Sequence, residues 1–407
     1  MSNGDEKQSR PSSLATLNND DKSLGAICID FGSASTSVSV FENNKLIFIN
    51  SIKVGGKHIT NDLARKFSNN SLRITTRQTF QFHGILKNNL KNIIKSVSSI
   101  FLTTYGACGD VVRNVTTIAA PIKNKIHIKL REDANKISSY FVPKSSSYGQ
   151  IWINGEKYEF TKKEPIYKKN YLPRKFKIGI TTYDDNSIDV LTNDIAIFLI
   201  YKNEKILGYN IAVGGGLGMT HNNPKTFPYL AKPLLFCEEK DLIKILEEIV
   251  FIHRDFGDRS DRKHARLKYL VDEKGISWFK KKIEKNLKKN FSKPNNNDLK
   301  VVDHLGWHPQ GDGKWYIGIF IPSGRIVDNG NIKIKSGLLE IIKDFKPSVT
   351  LSTDQNIFLG DIDEKNKNLI ELILKKNLII KKISSINRWF LACPALPTCG
   401  LALAEAE

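Results

Sequence analysis

One stretch, Ser71 to Lys87 (SLRITTRQTFQFHGILK), constrains this chain more than any other. Arg73, Thr75, Arg77, Thr79, Gln81 and His83 alternate along it with Leu72, Ile74, Thr76, Gln78, Phe80 and Phe82. A period of two predicts one extended segment through the run, because successive strand side chains point to opposite faces. The polar face carries donors and cations and no acid. Two arginines, a glutamine and a histidine on one edge suit a large anion, with each guanidinium forking onto an oxyanion. A solvated edge strand with a basic bias accounts for the same residues.

At 407 residues the chain has room for two or three domains. No apolar run approaches the roughly 20 residues that span a bilayer. The first 23 residues are polar, with no apolar core, and read as a disordered tail rather than a signal peptide. A net charge of +20 points to nucleic acid, an acidic partner or an anionic ligand. Nucleic acid fits poorly, since no basic face with interleaved aromatics stands out. Five cysteines, an odd number without a secretion signal, imply a reduced, cytoplasmic setting.

Upstream, Gly25–Phe67 reads as two β-rich runs around Asn43-Asn44, then an amphipathic helix through Ile59, Leu63 and Phe67. Asp30-x-Gly32 with Ser33, Ser35 and Thr36 resembles a phosphate hairpin of the actin-like ATPases. With Gly55-Gly56 and Thr60–Ala64 the segment resembles the bacterial cell-division actin homologue. The other nucleotide-binding pieces of that fold are not visible, so a plain hairpin is expected and no ATP site.

Downstream, Leu90, Ile93, Ile94, Val97 and Phe101 fall at helical spacing. Tyr171–Lys177 opens a strand with Lys175 and Lys177 on one face and Arg174 and Phe176 on the other. Gly214–Gly216 follows the strand Tyr209–Val213. It is a weak phosphate cradle and a better tight turn, one that brings backbone close to a bulky ligand. His253–Lys263 balances its charges and predicts a solvated, salt-bridged segment. An internal repeat is also visible: Ser348–Ile357 parallels Ser71–Phe80, with Ser, Thr and Gln at matching places and Asp354 where the first copy has Arg77. Cys393-x5-Cys399, stiffened by Pro394 and Pro397, is not a common zinc spacing. It could hold half of an iron–sulfur cluster, which takes four cysteines.

SLRITTRQTFQFHGILK, YLPRKFK, VGGGLGMTHNN, RDFGDRSDRKHARLKY, SGLLEI and CPALPTCGLALAEAE together resemble the hemoprotein subunit of assimilatory sulfite reductase, over about Ser71 to Glu407. The resemblance implies an α+β fold with duplicated ferredoxin-like half-domains and a siroheme-binding α+β domain. It implies siroheme and a [4Fe-4S] cluster as cofactors, and six-electron reduction of sulfite to sulfide in sulfur assimilation. It assigns substrate chemistry to Arg113, Lys175 and Lys177, and cofactor binding to Arg73, Arg77, Gln81, His83, Asn114, Gly215 and Gly216. Cys393 and Cys399 become the first two cluster ligands. The electron donor would be an NADPH-dependent flavoprotein subunit or a ferredoxin.

The implied division is a tail at 1–24, the actin-like fragment at 25–68 and a remnant of the first half-domain at 69–103. A siroheme and substrate domain at 104–294, the second half-domain at 295–383 and the start of an iron–sulfur domain at 384–407 follow. The family's earlier half-domain sequence and its second cysteine pair are not matched, so an incomplete, inactive fragment or fusion is expected. A siroheme nitrite reductase is the near alternative, against which the paired lysines of LPRKFK lean toward sulfite. An actin-like division protein with an unrelated extension is the distant one.

Overall fold

The computed structural model describes residues 63–99, 102–144, 164–295, 298–379 and 383–399, with 402 and 404–406. It also describes the backbone of β1 (Ala26–Phe31), β2 (Thr36–Glu42), β3 (Lys45–Ile52), β7 (Ile151–Ile153) and β8 (Glu156–Tyr158). β1, β2 and β3 form an antiparallel meander, so the upstream β-rich region holds three strands where two runs were expected. The helix expected through Ile59, Leu63 and Phe67 falls partly on residues 53–62, outside the described part; Ala64–Phe67 is helical.

Ile195–Ile200 is apolar at every position, which fits a strand covered on both faces. It lies in β10 (Ile195–Lys202), the centre of a five-stranded sheet ordered β12-β11-β10-β9-β6. β6 is Val112–Thr116, β9 Phe176–Thr181, β11 Lys205–Val213 and β12 Lys232–Cys237. Ile195, Ile197 and Leu199 join a core with helices Lys125–Phe141, Glu239–Phe256, Leu267–Lys274 and Ile276–Leu287. Ala196, Phe198 and Ile200 face a smaller cluster with Val190, Ala212 and Ala231. β6, β9 and β10 run parallel to one another.

The β6–β9 register matters for the site. Val112 pairs with Phe176 and Val115 with Ile178, three residues on one strand against two on the other. The extra residue is a bulge at Arg113-Asn114, the kind of kink that re-aims side chains beside functional sites.

The rest is a half-domain pair. β13 (Gly306–Pro309), β14 (Trp315–Ile319), β19 (Ile357–Ile362) and β18 (Ser348–Leu351) form one antiparallel sheet, in that order. β15 (Arg325–Ile326), β4 (Leu72–Ile74) and β5 (Phe80–Phe82) form another, and β16 (Asp328–Asn329) pairs with β17 (Ile332–Lys333). Leu72 and Ile74 share a core with Ile317, Ile319, Leu359, Ile341, Ile370 and Leu374, so the two copies of the repeat are built around common apolar ground.

Two expectations need correcting. Ser71–His83 is a hairpin, not one continuous strand: Thr75 N–H donates to the Thr79 carbonyl at 2.9 Å and Gln78 N–H to the Thr75 carbonyl at 3.0 Å. Gln78 adopts φ +55°, a left-handed turn conformation that period-two reading does not anticipate. The His253–Lys263 run is also not simply solvated. His253 and Arg254 are buried, and Arg254 donates to the Ile166 carbonyl. Arg259 donates to the carbonyls of Asn170, Tyr171 and Arg254, so its charges serve as straps onto backbone.

Candidate functional site

Arg77 occupies the tip of the β4–β5 turn and reaches across to the five-stranded sheet. Its Nη1 donates to Asn193 Oδ1 at 2.7 Å, and its Nη2 donates to the carbonyls of Ile178 (3.1 Å) and Asn114. Asn114 returns a bond from Nδ2 to the Arg77 carbonyl at 2.6 Å. Gln78 clamps the same strand end: its Nε2 donates to the Thr117 carbonyl at 2.7 Å and its Oε1 accepts from Thr117 N–H at 3.0 Å. A side-chain amide paired to one peptide in both directions acts like an added strand residue. It fixes where the guanidinium can go.

Around Arg77 stand more cations. Burial and the nearby charges of Arg77 and Arg266 pull the Lys177 amine down to about 8, against the opposing pull of Asp194. Lys175 is lowered by burial, then by Arg174, Arg266 and Arg113. Burial, with Arg113 and Arg266, brings Arg77 down to about 10. Asp194 is fully buried, accepting from Arg266 Nε at 3.1 Å and Nη2 at 2.9 Å and from Lys177 N–H at 2.8 Å. Its carbonyl accepts from Gly214 N–H at 2.8 Å, which starts the glycine loop. A Cβ at Gly215 would collide with the carbonyl oxygens of Leu191 and Asn193, so that position requires glycine by close approach. Lys268 Nζ gathers the loop by donating to the carbonyls of Gly216 at 3.1 Å, Gly218 at 2.7 Å and Phe227.

Of the residues singled out from sequence, Arg77, Asn114, Arg113, Lys175, Lys177 and Gly215 thus converge. Arg113 donates to the carbonyls of Ala107 and Gly109 (3.0 Å) from the bulge. Arg73 goes elsewhere: it is 1% exposed and donates to the Ala392 carbonyl, one residue before Cys393. His83 is buried against Arg325, with Nδ1 2.9 Å from Nη1, and Gln81 is exposed opposite Arg73. Cys393 is exposed and Cys399 half-buried; both are free thiols. Asn193, Asp194, Arg266 and Lys268 were missed, since an Asn-Asp pair and cations in a mixed run read as turn and surface.

The donor set tests what the cluster would hold. Arg77 Nε and Arg113 Nε are buried without hydrogen-bond partners, and no bond to the Lys175 or Lys177 amine is found among the described residues. Surplus donors on several cations fit a polycarboxylate or oxyanion. The two thiols fit part of a four-thiolate cluster, and no group of three or more His, Cys, Asp or Glu able to hold a metal occurs among the described residues. Size alone would mislead here. A cleft of about 720 Å³ lies on the outer sheet face by Phe198, Ala212 and Leu299, but among the described residues Lys300 is the only cation that lines it.

Comparison with known proteins follows this geometry. Residues 132–291 match the family described as nitrite and sulphite reductase 4Fe-4S domain. Residues 60–99 and 308–377 match the nitrite/sulfite reductase ferredoxin-like half domain, one segment for each copy of the repeat. Residues 27–78 match cell division protein FtsA. The sulfite reductase [NADPH] hemoprotein beta-component of Staphylococcus carnosus is 39% identical over 378 residues, covering 88% of this chain and 65% of that protein. The corresponding component of Leptospira biflexa is 41% identical over 354 residues, covering 85% and 63%. The sulfite reductase [NADPH] subunit beta of Schizosaccharomyces pombe is 40% identical over 85% of this chain and 25% of its own length. The chain therefore spans less than two thirds of these relatives. The NirA protein of Mycobacterium tuberculosis superposes with a TM-score of 0.69 at 20% identity, covering 96% of this chain and 64% of that one, a likeness of fold.

Proposed function

Because the chain belongs to the nitrite and sulphite reductase family, with duplicated ferredoxin-like halves, we propose that it forms the siroheme and substrate part of a sulfite reductase hemoprotein. The observation that carries this reading is the convergence of Arg77, Arg113, Lys175 and Lys177 around one buried carboxylate. The substrate domain takes in residues 104–294, and the half-domain copies lie at 69–103 and 295–383. Arg77 and Asn114, with the Gly215-Gly216 loop, would hold the tetrapyrrole; Arg73, Gln81 and His83 do not reach this cluster. Cys393 and Cys399 supply two of the four thiolates a [4Fe-4S] cluster takes, the others coming from outside this pair.

When bound, siroheme would supply the iron and the cluster would relay electrons from a partner donor for reduction of sulfite to sulfide. The chain's own work is to hold an anion and deliver protons to it. Arg113 and Lys175 attract the oxyanion in a half-buried site, where charge counts for more than in water. Lys177, with its amine near 8, is protonated at neutral pH yet gives up its proton readily, as a general acid should. An NADPH-dependent flavoprotein partner and a cytoplasmic setting complete the reading. No helix among the described residues is long and apolar enough to cross a membrane.

Co-expression with siroheme synthesis, followed by absorption spectra and sulfide assay with a reduced dye, tests this. Siroheme bound by the wild-type chain and lost in Arg77→Gln supports it. A chain that takes up no tetrapyrrole in either form overturns it. Turnover of sulfite against nitrite, on a chain carrying all four thiolates, separates the two substrates.

A further inference from the structure

The cationic cluster contains one buried acid at its centre, and that acid ties Lys177, Gly214 and Arg266 of three separate segments together. Asp194 Oδ2 accepts the Lys177 N–H, and both carboxylate oxygens take the fork of Arg266. The Asp194 carbonyl holds Gly214 N–H, and its neighbour Asn193 accepts from Arg77. Backbone and side chain together tie strand β9, the glycine loop, the segment before helix Leu267–Lys274 and the Arg77 turn to one buried point. No role in the proposed reaction calls for a carboxylate there, and it stands as a counterweight to the cations around it.

We propose that Asp194 is a positioning residue that keeps Lys177 protonated, by fixing its strand against Arg266 and by offsetting the cations that face it. Those cations come from every side: Arg77 on the turn, Arg266 before its helix, and Lys175 two residues away, just ahead of β9. Burial is the largest influence pushing the Lys177 proton off, and Asp194 is the one charge holding it on. In this arrangement Asp194 touches neither substrate nor cofactor; it acts through Lys177. The inference rests on the sulfite-reductase reading for the use of that proton, not for the electrostatics.

A structural role and an electrostatic one predict opposite signs. If Asp194 were only a strut, its loss would loosen the site, admit water and let Lys177 rise toward the ordinary lysine range. If it offsets the cations, Asp194→Asn lowers Lys177 by about one unit, a tenfold larger ratio of free amine to ammonium at a given pH. Competitive isotopic acylation of the full chain across pH, read by mass spectrometry on the Lys177 peptide, measures this directly without cofactor. Arg77→Gln is the control of opposite sign and raises Lys177. Should Asp194→Asn strand Arg266 and fail to fold, Arg266→Gln and the double variant Asp194→Asn/Arg266→Gln give the same comparison with no guanidinium left unpaired. The double variant should titrate lower than Arg266→Gln. A Lys177 value that rises or stays fixed on loss of Asp194 in either background overturns the proposal. The outcome is independent of siroheme uptake, so failure of the functional reading would show separately.

Discussion

Two turns in this molecule share a backbone and differ at the tip. In the first, Thr75 N–H bonds to the Thr79 carbonyl and Gln78 N–H to the Thr75 carbonyl; in the second, Ser352 N–H bonds to Asn356 and Gln355 N–H to Ser352. Gln78 and Gln355 both take positive φ, +55° and +63°. A short 3-10 turn and a ten-residue helix follow each, Leu90–Ser99 and Lys367–Lys376. The offset is constant at 277 residues: 348 against 71, 364 against 87, 367 against 90. At the tip, however, Arg77 enters the sheet and its cation cluster, whereas Asp354 faces Asp189 and His304 beside a small cavity. The turn geometry belongs to the scaffold. The side chain at the tip differs, so only the first copy reaches into a cluster of cations.

The largest contrast comes from removing the tip. Arg77→Ala leaves the Asn193 side chain and the Ile178 and Asn114 carbonyls without their donor and should destabilise the chain by about 3 kcal/mol. Asp354→Ala removes a carboxylate that burial penalises and should cost little at neutral pH; equal losses in urea melts would break the comparison. The glutamines give a smaller one. Gln78 makes two bonds to one peptide, but Gln355 makes one, from Nε2 to the Ile74 carbonyl at 3.0 Å, and its Oε1 is buried without a partner. Gln78→Ala should therefore cost about 2 kcal/mol and Gln355→Ala about 1 kcal/mol in the same assay.

The two tips also differ in their response to pH. Burial, with Asp189 nearby, pushes the Asp354 carboxyl up to about 7. Its pKa is raised on folding, so between about pH 4 and 7 the native chain keeps a proton that the unfolded chain has lost. Stability from this group is present below that window and lost as pH rises through it. Asp354→Asn should thus gain on the wild type between pH 5 and 8, and a gap that shrinks over that range would contradict the placement of Asp354 among acids.

Much of this was legible beforehand. The repeat showed itself because Ser, Thr and Gln are needed at fixed places to close the turn, whereas β10 was not singled out although its all-apolar run fits a doubly covered strand. Lys175 and Lys177 flank the buried Phe176 as period-two reading requires. The hairpin was read as a strand because alternation persists through a turn when the turn residues themselves are polar. The bulge at Arg113-Asn114 exists only in the pairing of β6 with β9, and no local residue choice announces it. Asp194 and Arg266, 72 residues apart, acquire meaning only once folding brings them within 2.9 Å. Arg73 was grouped with Arg77 by spacing, yet the turn between them sends one toward Ala392 and the other toward Asn193.

The central claim is that the first turn, through Arg77, builds an anion site that the second turn does not. Siroheme titrated into the wild-type chain, Arg77→Gln and Asp354→Asn, followed by the absorption of the bound tetrapyrrole, tests it most directly. Binding should survive Asp354→Asn unchanged and weaken at least tenfold in Arg77→Gln, about 1.4 kcal/mol for each tenfold. Equal weakening by both variants, or none by Arg77→Gln, would contradict it.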